Sequence, residues 1–276
     1  MDWSVHTAVV ADGDLAAVEE ALAIAGFTAH AIASRSDGRH DLTLYGADGR
    51  LPEDVTATLD RLGIAIAGGT VSSEGDLLRG YLPEDPIELA PGWWIDPLGR
   101  LPAEHGGRIL RVPPSTAFGD GHHPSTRMAT RRLLTLPLDG ARVLDLGCGT
   151  GVLGLVAGLC GAAQVDLTDI DPAAVAATDA TLTAHGLCGH RAVVADLLGG
   201  VPGSAYTIVA ANIYADLIVD ILADPRLAAV LPHGHLVLSG IAERKLPLVQ
   251  DALAAAGFAI DHVETEAWWC CVGAHR

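Results

Sequence analysis

"VLDLGCGTGVLG", residues 143–154, passes from an apolar, strand-like run into a helix-like one through three glycines in five residues. Gly147, Gly149 and Gly151 let the backbone turn tightly and approach a ligand with no side chain in the way. The helix that follows offers unpaired amides and the positive end of its dipole to an anionic group. Asp169 stands 22 residues after Gly147, at the end of "QVDLTD". An acid at the tip of a second strand commonly accepts hydrogen bonds from ribose hydroxyls. The two features together predict a nucleoside-containing ligand. Gly149, Gly151 and Gly154 also satisfy G-x-G-x-x-G, with Asp169 twenty residues beyond Gly149, so the dinucleotide fingerprint is met on paper.

Outward from this loop, "RVLDLG", "QVDLTDI", "RAVVAD", "YTIVAAN" and "HLVLSG" are five strand candidates. Helical stretches follow Gly151, Pro172, Tyr214 and Glu243. Strands alternating with helices predict an α/β fold with a doubly wound, mostly parallel sheet, whose ligands bind at the carboxyl ends of the strands. Upstream, residues 1–71 read as β-α-β-β-α-β. The strands are "WSVHTAVV", "HAIAS", "DLTLYG" and "IAIAGGTV". One helix has Leu15, Val18 and Leu22 on one face and ends at Gly26, and a turn at Ser36-Asp37-Gly38 joins the middle strands. The second helix places Val55, Leu59 and Leu62 on a stripe and stops at Gly63. That order predicts a small ferredoxin-like α+β domain. Eight of the 15 prolines lie between Pro83 and Pro124. Proline removes amide donors, so residues 72–116 read as a proline-rich linker with a strand or two such as "RILRV", leaving 117–276 as the second domain.

Composition narrows the function. The formal charge of −17 repels phosphate backbones and anionic lipid heads, which argues against nucleic-acid and membrane partners and favours a cationic one. Acidity that only keeps the protein soluble is the plainer alternative. No apolar run is long enough to span a bilayer, and "MDWSVHTAVVADGD" lacks the form of a signal peptide. The five cysteines show no C-x-x-C or zinc-finger spacing, so a reducing cytoplasm is expected, with Cys270 and Cys271 as ordinary strand residues.

"AFGDGHHPSTR", residues 117–127, heads another helix that Pro124 would start. A metal site, a catalytic histidine and a ligand-shaped loop all fit its composition. A metal needs three or four convergent ligands, and Asp120, His122 and His123 supply at most three from one tight loop, so no metal is expected. Gly119 and Gly121 permit close backbone approach, Phe118 can cover a nucleoside from water, and Thr126 sits in the first helical turn.

Asp145 precedes the first glycine by two positions, and the resulting D-x-G-x-G-x-G resembles motif I of class I S-adenosylmethionine-dependent methyltransferases. "AFGDGHHPSTR", "VLDLGCGTGVL", "DIDPAAV", "VAANIYADLI", "LVLSGI" and "EAWWCCVG" occur in the order found in the bacterial lysine methyltransferases of large-subunit ribosomal protein eleven, a family that the chain resembles from about residue 109 onward. The resemblance implies an N-methyltransferase with S-adenosylmethionine as cofactor, acting on lysine or N-terminal amines of a basic protein recognised by the leading domain. It places Phe118, Gly119, Thr126, Asp145, Gly147, Gly149, Asp169, Ile170, Asp196 and Asn212 at the cofactor, Asp196 facing the adenine. Asn212 also takes the catalytic role, its amide oxygen holding the acceptor amine; a strand-end turn is the plainer reading of that residue. The chain departs from the family pattern at Thr207, where an acid is usual, at "LPHGH", and in "GDLLRGYLPEDP", which holds no tryptophan. These departures keep a small amine or peptide open as the acceptor. A nucleoside-binding module without catalysis and a nicotinamide oxidoreductase are further alternatives; Asn212 argues against the first, and the lack of a second nucleotide-binding half against the other.

Overall fold

The computed structural model describes residues 2–24, 30–34, 37–47, 51–73, 85–96, 99–102, 104–113, 115, 117–201 and 205–276. The chain divides into two compact units, Met1–Leu82 and Pro83–Arg276. In the first, β1 (Asp2–Ala11), α1 (Asp12–Ile24), β2 (His30–Ser34), β3 (Arg39–Ala47), α2 (Glu53–Arg61) and β4 (Ala67–Ser73) follow one another. The strands pair antiparallel in the order β2-β3-β1-β4, the ferredoxin-like arrangement that the element sequence predicts. Leu15, Val18 and Leu22 of α1 meet Val55 and Leu59 of α2 in one core with Val10, Leu42 and Leu44. Leu62 does not join them: it lies one residue past α2 and is exposed, and buried Ile64 takes its place. Gly26 and Ser36 lie outside the described residues.

The second unit begins with a three-stranded sheet, β5 (Ile87–Ala90), β6 (Trp93–Ile95) and β7 (Arg108–Leu110). Residues 72–116 are therefore not simply a linker. β4 runs to Ser73, the division falls between Leu82 and Pro83, and Leu89, Ile95 and Leu110 are buried in the same core as the large sheet. The prolines flank these short strands and leave their ladders intact. The stretch carries its tryptophans in β6, where Arg108 stacks over Trp93 and His105 packs edge-on against Trp94.

Then come α3 (Pro124–Leu134), β8 (Arg142–Leu146), α4 (Val152–Leu159), β9 (Gln164–Asp169), α5 (Pro172–Ala184), β10 (Arg191–Val194), β11 (Ile208–Asn212), α6 (Ala215–Ala223), α7 (Leu227–Val230), β12 (His235–Ala242), α8 (Leu246–Ala255), β13 (Ala259–Glu266) and β14 (Trp269–His275). The sheet order is β10-β9-β8-β11-β12-β14-β13. β8 to β12 are parallel, while β14 runs antiparallel to both β12 and β13. The order reverses between β8 and β11, and the carboxyl ends of those two strands define the crevice where such sheets bind ligands.

Alternation along each strand assigns the two faces. Leu144, Leu146, Val209, Ala211, Leu236 and Leu238 pack with α6 and α8. Val143, Val165, Leu167, Ile208, Ala210 and Val237 pack on the opposite face with α3 and α4. Counting onward by twos on that second face reaches Asp145, Asp169, Asn212 and Ser239. A single face of the sheet thus carries the polar side chains at its carboxyl edge. Among the described residues, no helix is long and apolar enough to cross a membrane.

Candidate active site

The loop after β8 is held by its own backbone. Gly147 and Cys148 both donate to the Thr168 carbonyl, at 2.8 and 2.9 Å, and Gly151 caps α4 from a left-handed conformation, φ 79°. Gly149, with φ 55°, is pressed against residue 118, so a Cβ there would collide with the Phe118 carbonyl oxygen. Thr150 fastens the same contact, its amide donating to the Phe118 carbonyl and its hydroxyl to that of Gly119, both at 2.9 Å. Thr178 of α5 donates to the Gly149 carbonyl at 2.9 Å from behind. Segment 117–123 and the glycine loop are therefore one structure.

Asp169 is the hinge of this arrangement. One carboxylate oxygen accepts from the Gly149 amide at 2.9 Å and the other from Asp171 at 3.0 Å. Each oxygen retains lone pairs for further donors. Asp145 lies deeper, fully buried, and accepts from the Gly154 amide at 3.0 Å. Burial pushes its carboxyl up to about 7; the Gly154 amide opposes the rise and the Asp169 charge adds to it. Because the folded value exceeds the unfolded one of about 3.8, the folded state binds the extra proton between pH 4 and 7. The stabilisation is full below that window and is lost as pH rises through it, by on the order of 4 kcal/mol. Asp145→Asn should keep the Gly154 bond and flatten this slope. Urea melts from pH 4.5 to 8 that decline equally in both proteins would rule out Asp145 as its source.

On the other side of the crevice, Asn212 ends β11. Its Nδ2 donates to Thr126 Oγ1 at 3.2 Å, while Oδ1 is buried with no hydrogen-bond partner among the described residues. Thr126 is itself buried in the first turn of α3. Ser239, inside "LVLSGI", fixes that turn by donating from its buried hydroxyl to the Ser125 carbonyl at 3.0 Å. The signal for Ser239 was positional, two residues on from Val237 along the same strand face.

The histidines of 117–127 have structural partners. His123 caps α3, its Nδ1 accepting from the Ser125 amide at 3.2 Å, with its ring between those of Phe118 and Trp269 at 5.3 and 4.8 Å. His122 pairs with Asp120 at 3.0 Å. Burial pushes the Asp120 carboxyl up, but the bonds and charge of His122 outweigh it and leave the group below its ordinary value. Among the described residues, no three His, Cys, Asp or Glu side chains converge as a metal site would require. Phe118, Ile170 and Val194 are exposed apolar side chains, Ile170 at 68%, and Ile170 and Val194 stand at or just beyond the carboxyl ends of the adjacent strands β9 and β10. Asp196 is exposed two residues beyond Val194, and its backbone closes a small turn with Gly199.

The sheet order, the glycine cradle and the acid at the end of β9 define a class I S-adenosylmethionine-dependent methyltransferase. The family model described as Ribosomal protein L11 methyltransferase (PrmA) matches residues 83–276, beginning where the second compact unit begins. The chain belongs to that family. It is 35% identical over 259 residues to the ribosomal protein L11 methyltransferase of Deinococcus radiodurans, covering 80% of this chain and 94% of that one. It is also 35% identical over 243 residues to that of Streptococcus pneumoniae, covering 84% and 74%. A crystal structure of the ribosomal protein L11 methylase from Lactobacillus delbrueckii subsp. bulgaricus superposes with a TM-score of 0.64 at 28% identity, over 69% of this chain and 98% of that one.

Proposed function

We propose that the chain methylates amino groups, on lysine side chains or an N-terminus, of a basic ribosomal protein of the L11 kind. The observation that carries this reading is the buried, unpartnered Oδ1 of Asn212. An amide oxygen left so costs roughly 1–3 kcal/mol, and the N–H of a docked amine relieves that cost. With Nδ2 committed to Thr126, the amide plane is set before the acceptor arrives and Oδ1 is the end left for the amine. Bound S-adenosylmethionine supplies an electrophilic methyl group on a sulfonium. Transfer is an in-line displacement, so what the chain provides is alignment of the amine lone pair and exclusion of water. The amine loses its proton to water before it reaches Asn212, and no side chain is required as base.

The residues present fit the cofactor. The turn at Gly147 and Gly149 has no room for a Cβ, which would meet Ile213 at the first and the Phe118 carbonyl at the second, so the loop stays bare backbone. Asp169 can accept ribose hydroxyls, and exposed Phe118 and Ile170, with Gly119 and Asp196, would flank the purine. Asp145 acts one step back, through the Gly154 amide. Residues 1–71 are assigned to docking of the acceptor, in keeping with the −17 charge. Incubation with labelled S-adenosylmethionine and purified L11, and separately with a small-molecule extract, tests the reading. Label is expected in the protein, at a rate that falls as salt screens exposed charge beyond about 8–10 Å. Label confined to the small molecules would give the acceptor to a metabolite instead.

A further inference from the structure

The turn joining β13 to β14 is built in an unfavourable way. Glu266 pairs with Trp269, so Ala267 and Trp268 form a two-residue hairpin turn with φ of 46° and 70°. Among the described residues, they are the only adjacent pair other than glycines in that region. Such turns favour Asn-Gly, and a bulky side chain there is an outlier. Strain of this kind persists where the surroundings enforce it, and it gathers at working sites.

The surroundings here do enforce it. The Glu243 amide donates to the Trp268 carbonyl at 2.8 Å. The Glu266 carboxylate is clasped by Arg127 at 2.5 Å and Arg131 at 2.6 Å. Trp269 is buried with its ring on His123. Arg127 also donates to the His122 carbonyl, tying the turn to the 117–123 loop. Every neighbour is fixed, yet the Trp268 side chain is left 45% exposed. Its position follows from the ladders. β14 is antiparallel to β12 with Trp269 opposite Ala242, so the turn stands at the carboxyl edge of β12, the edge at which Asn212 ends the adjoining β11.

We propose that Trp268 is an acceptor-specificity residue whose ring face receives the ammonium group of the incoming lysine before that group loses its proton to solvent. A cation over an indole is attracted by the ring quadrupole, and methylated ammonium groups are bound in the same way. Exposed Glu243, anchored to the Trp268 carbonyl by its own amide, adds charge of the complementary sign. Trp268 thereby selects cationic amines over neutral nucleophiles, while Asn212 acts on the amine once it is neutral. The inference rests on the amine-methylation reading above.

Trp268→Gly suits the backbone of the turn, so the variant should melt no lower than the parent. With L11 as acceptor, KM should rise about tenfold. Cofactor affinity should stay within twofold, and Trp268→Phe should recover most of the loss. An unchanged KM in the glycine variant overturns the proposal. A second arm uses N-acetyl-trimethyllysine amide as probe, followed by saturation-transfer NMR on enzyme holding S-adenosylhomocysteine. Binding in the parent and none in the glycine variant supports Trp268 even if L11 proves not to be the acceptor, and then only the ribosomal reading falls. Equal binding to both proteins, or none to either, removes Trp268 while leaving that reading intact.

Discussion

Asn212→Ala should lower kcat by 10²-fold or more, roughly, while S-adenosylmethionine affinity stays within about threefold. The asymmetry follows from the geometry. Asn212 contributes one buried oxygen with no partner among the described residues and one N–H spent on Thr126. Truncation removes the group that would orient the acceptor amine and leaves Gly147, Gly149 and Asp169 untouched. Asn212→Asp is the sharper comparison. A carboxylate can accept a hydrogen bond from the Thr126 hydroxyl and keep one oxygen for the amine, but it places a charge in a buried site, so partial activity is expected. Thr126→Val should reach much of the same loss indirectly, because Nδ2 would then be unpartnered and the amide free to turn. The double variant should be clearly less impaired than the two single losses added together, as for any pair acting as a unit. Turnover of Asn212→Ala within threefold of the parent, measured in a single-turnover assay with saturating cofactor, would leave Asn212 a structural residue.

How far the sequence discloses this site depends on what kind of contact forms each part. The glycine loop and Asp169 were legible because their roles are local. A turn that needs positive φ demands glycine, and an acid at a strand tip is placed by the strand itself. The five parallel strands and their helices were legible for the same reason, periodicity being a property of neighbours in the chain. Of the small sheet, only β7 was, inside "RILRV"; β5 and β6 were not. Its strands are three or four residues long, set among prolines, and they become strands only by pairing with each other and burying Leu89, Ile95 and Leu110 under the large sheet. His123 as a helix cap and Ser239 as the fastener of α3 were equally hidden. Histidine is no usual cap, and the Ser239 bond spans 114 positions in the chain. Asn212 falls between these cases. Its place at a strand end was readable, but its pairing with Thr126, 86 positions away, needs the sheet face that alternation along β11 and the packing of α3 together create.

Asp169→Ala should weaken S-adenosylmethionine binding by roughly 2–4 kcal/mol, a loss of about two orders of magnitude in Kd. Two sources contribute, and they can be separated. The carboxylate is the group expected to accept the ribose hydroxyls, and charge-assisted bonds of that kind are the stronger class. It also accepts the amides of Gly149 and Asp171, so it shapes the loop before any ligand arrives. The second role predicts that the variant loses stability without cofactor, since the Gly149 amide would be left unpaired at a buried residue. The loss should be about 1–2 kcal/mol in urea melts of the unliganded protein. Asp169→Asn retains an oxygen for Gly149 but not the charge, so it should recover most of the stability and only part of the affinity. The same loop explains why Gly149 offers no softer route to the result: at φ 55°, a methyl group there meets the backbone of Phe118, which cannot swing aside as a side chain could. Calorimetry that finds Asp169→Ala binding the cofactor within threefold of the parent would remove the acid from the ligand's contacts. If the urea melts had nevertheless shifted, Asp169 would stand as a loop fastener alone, and the ribose would have to be held by the backbone of residues 147–150.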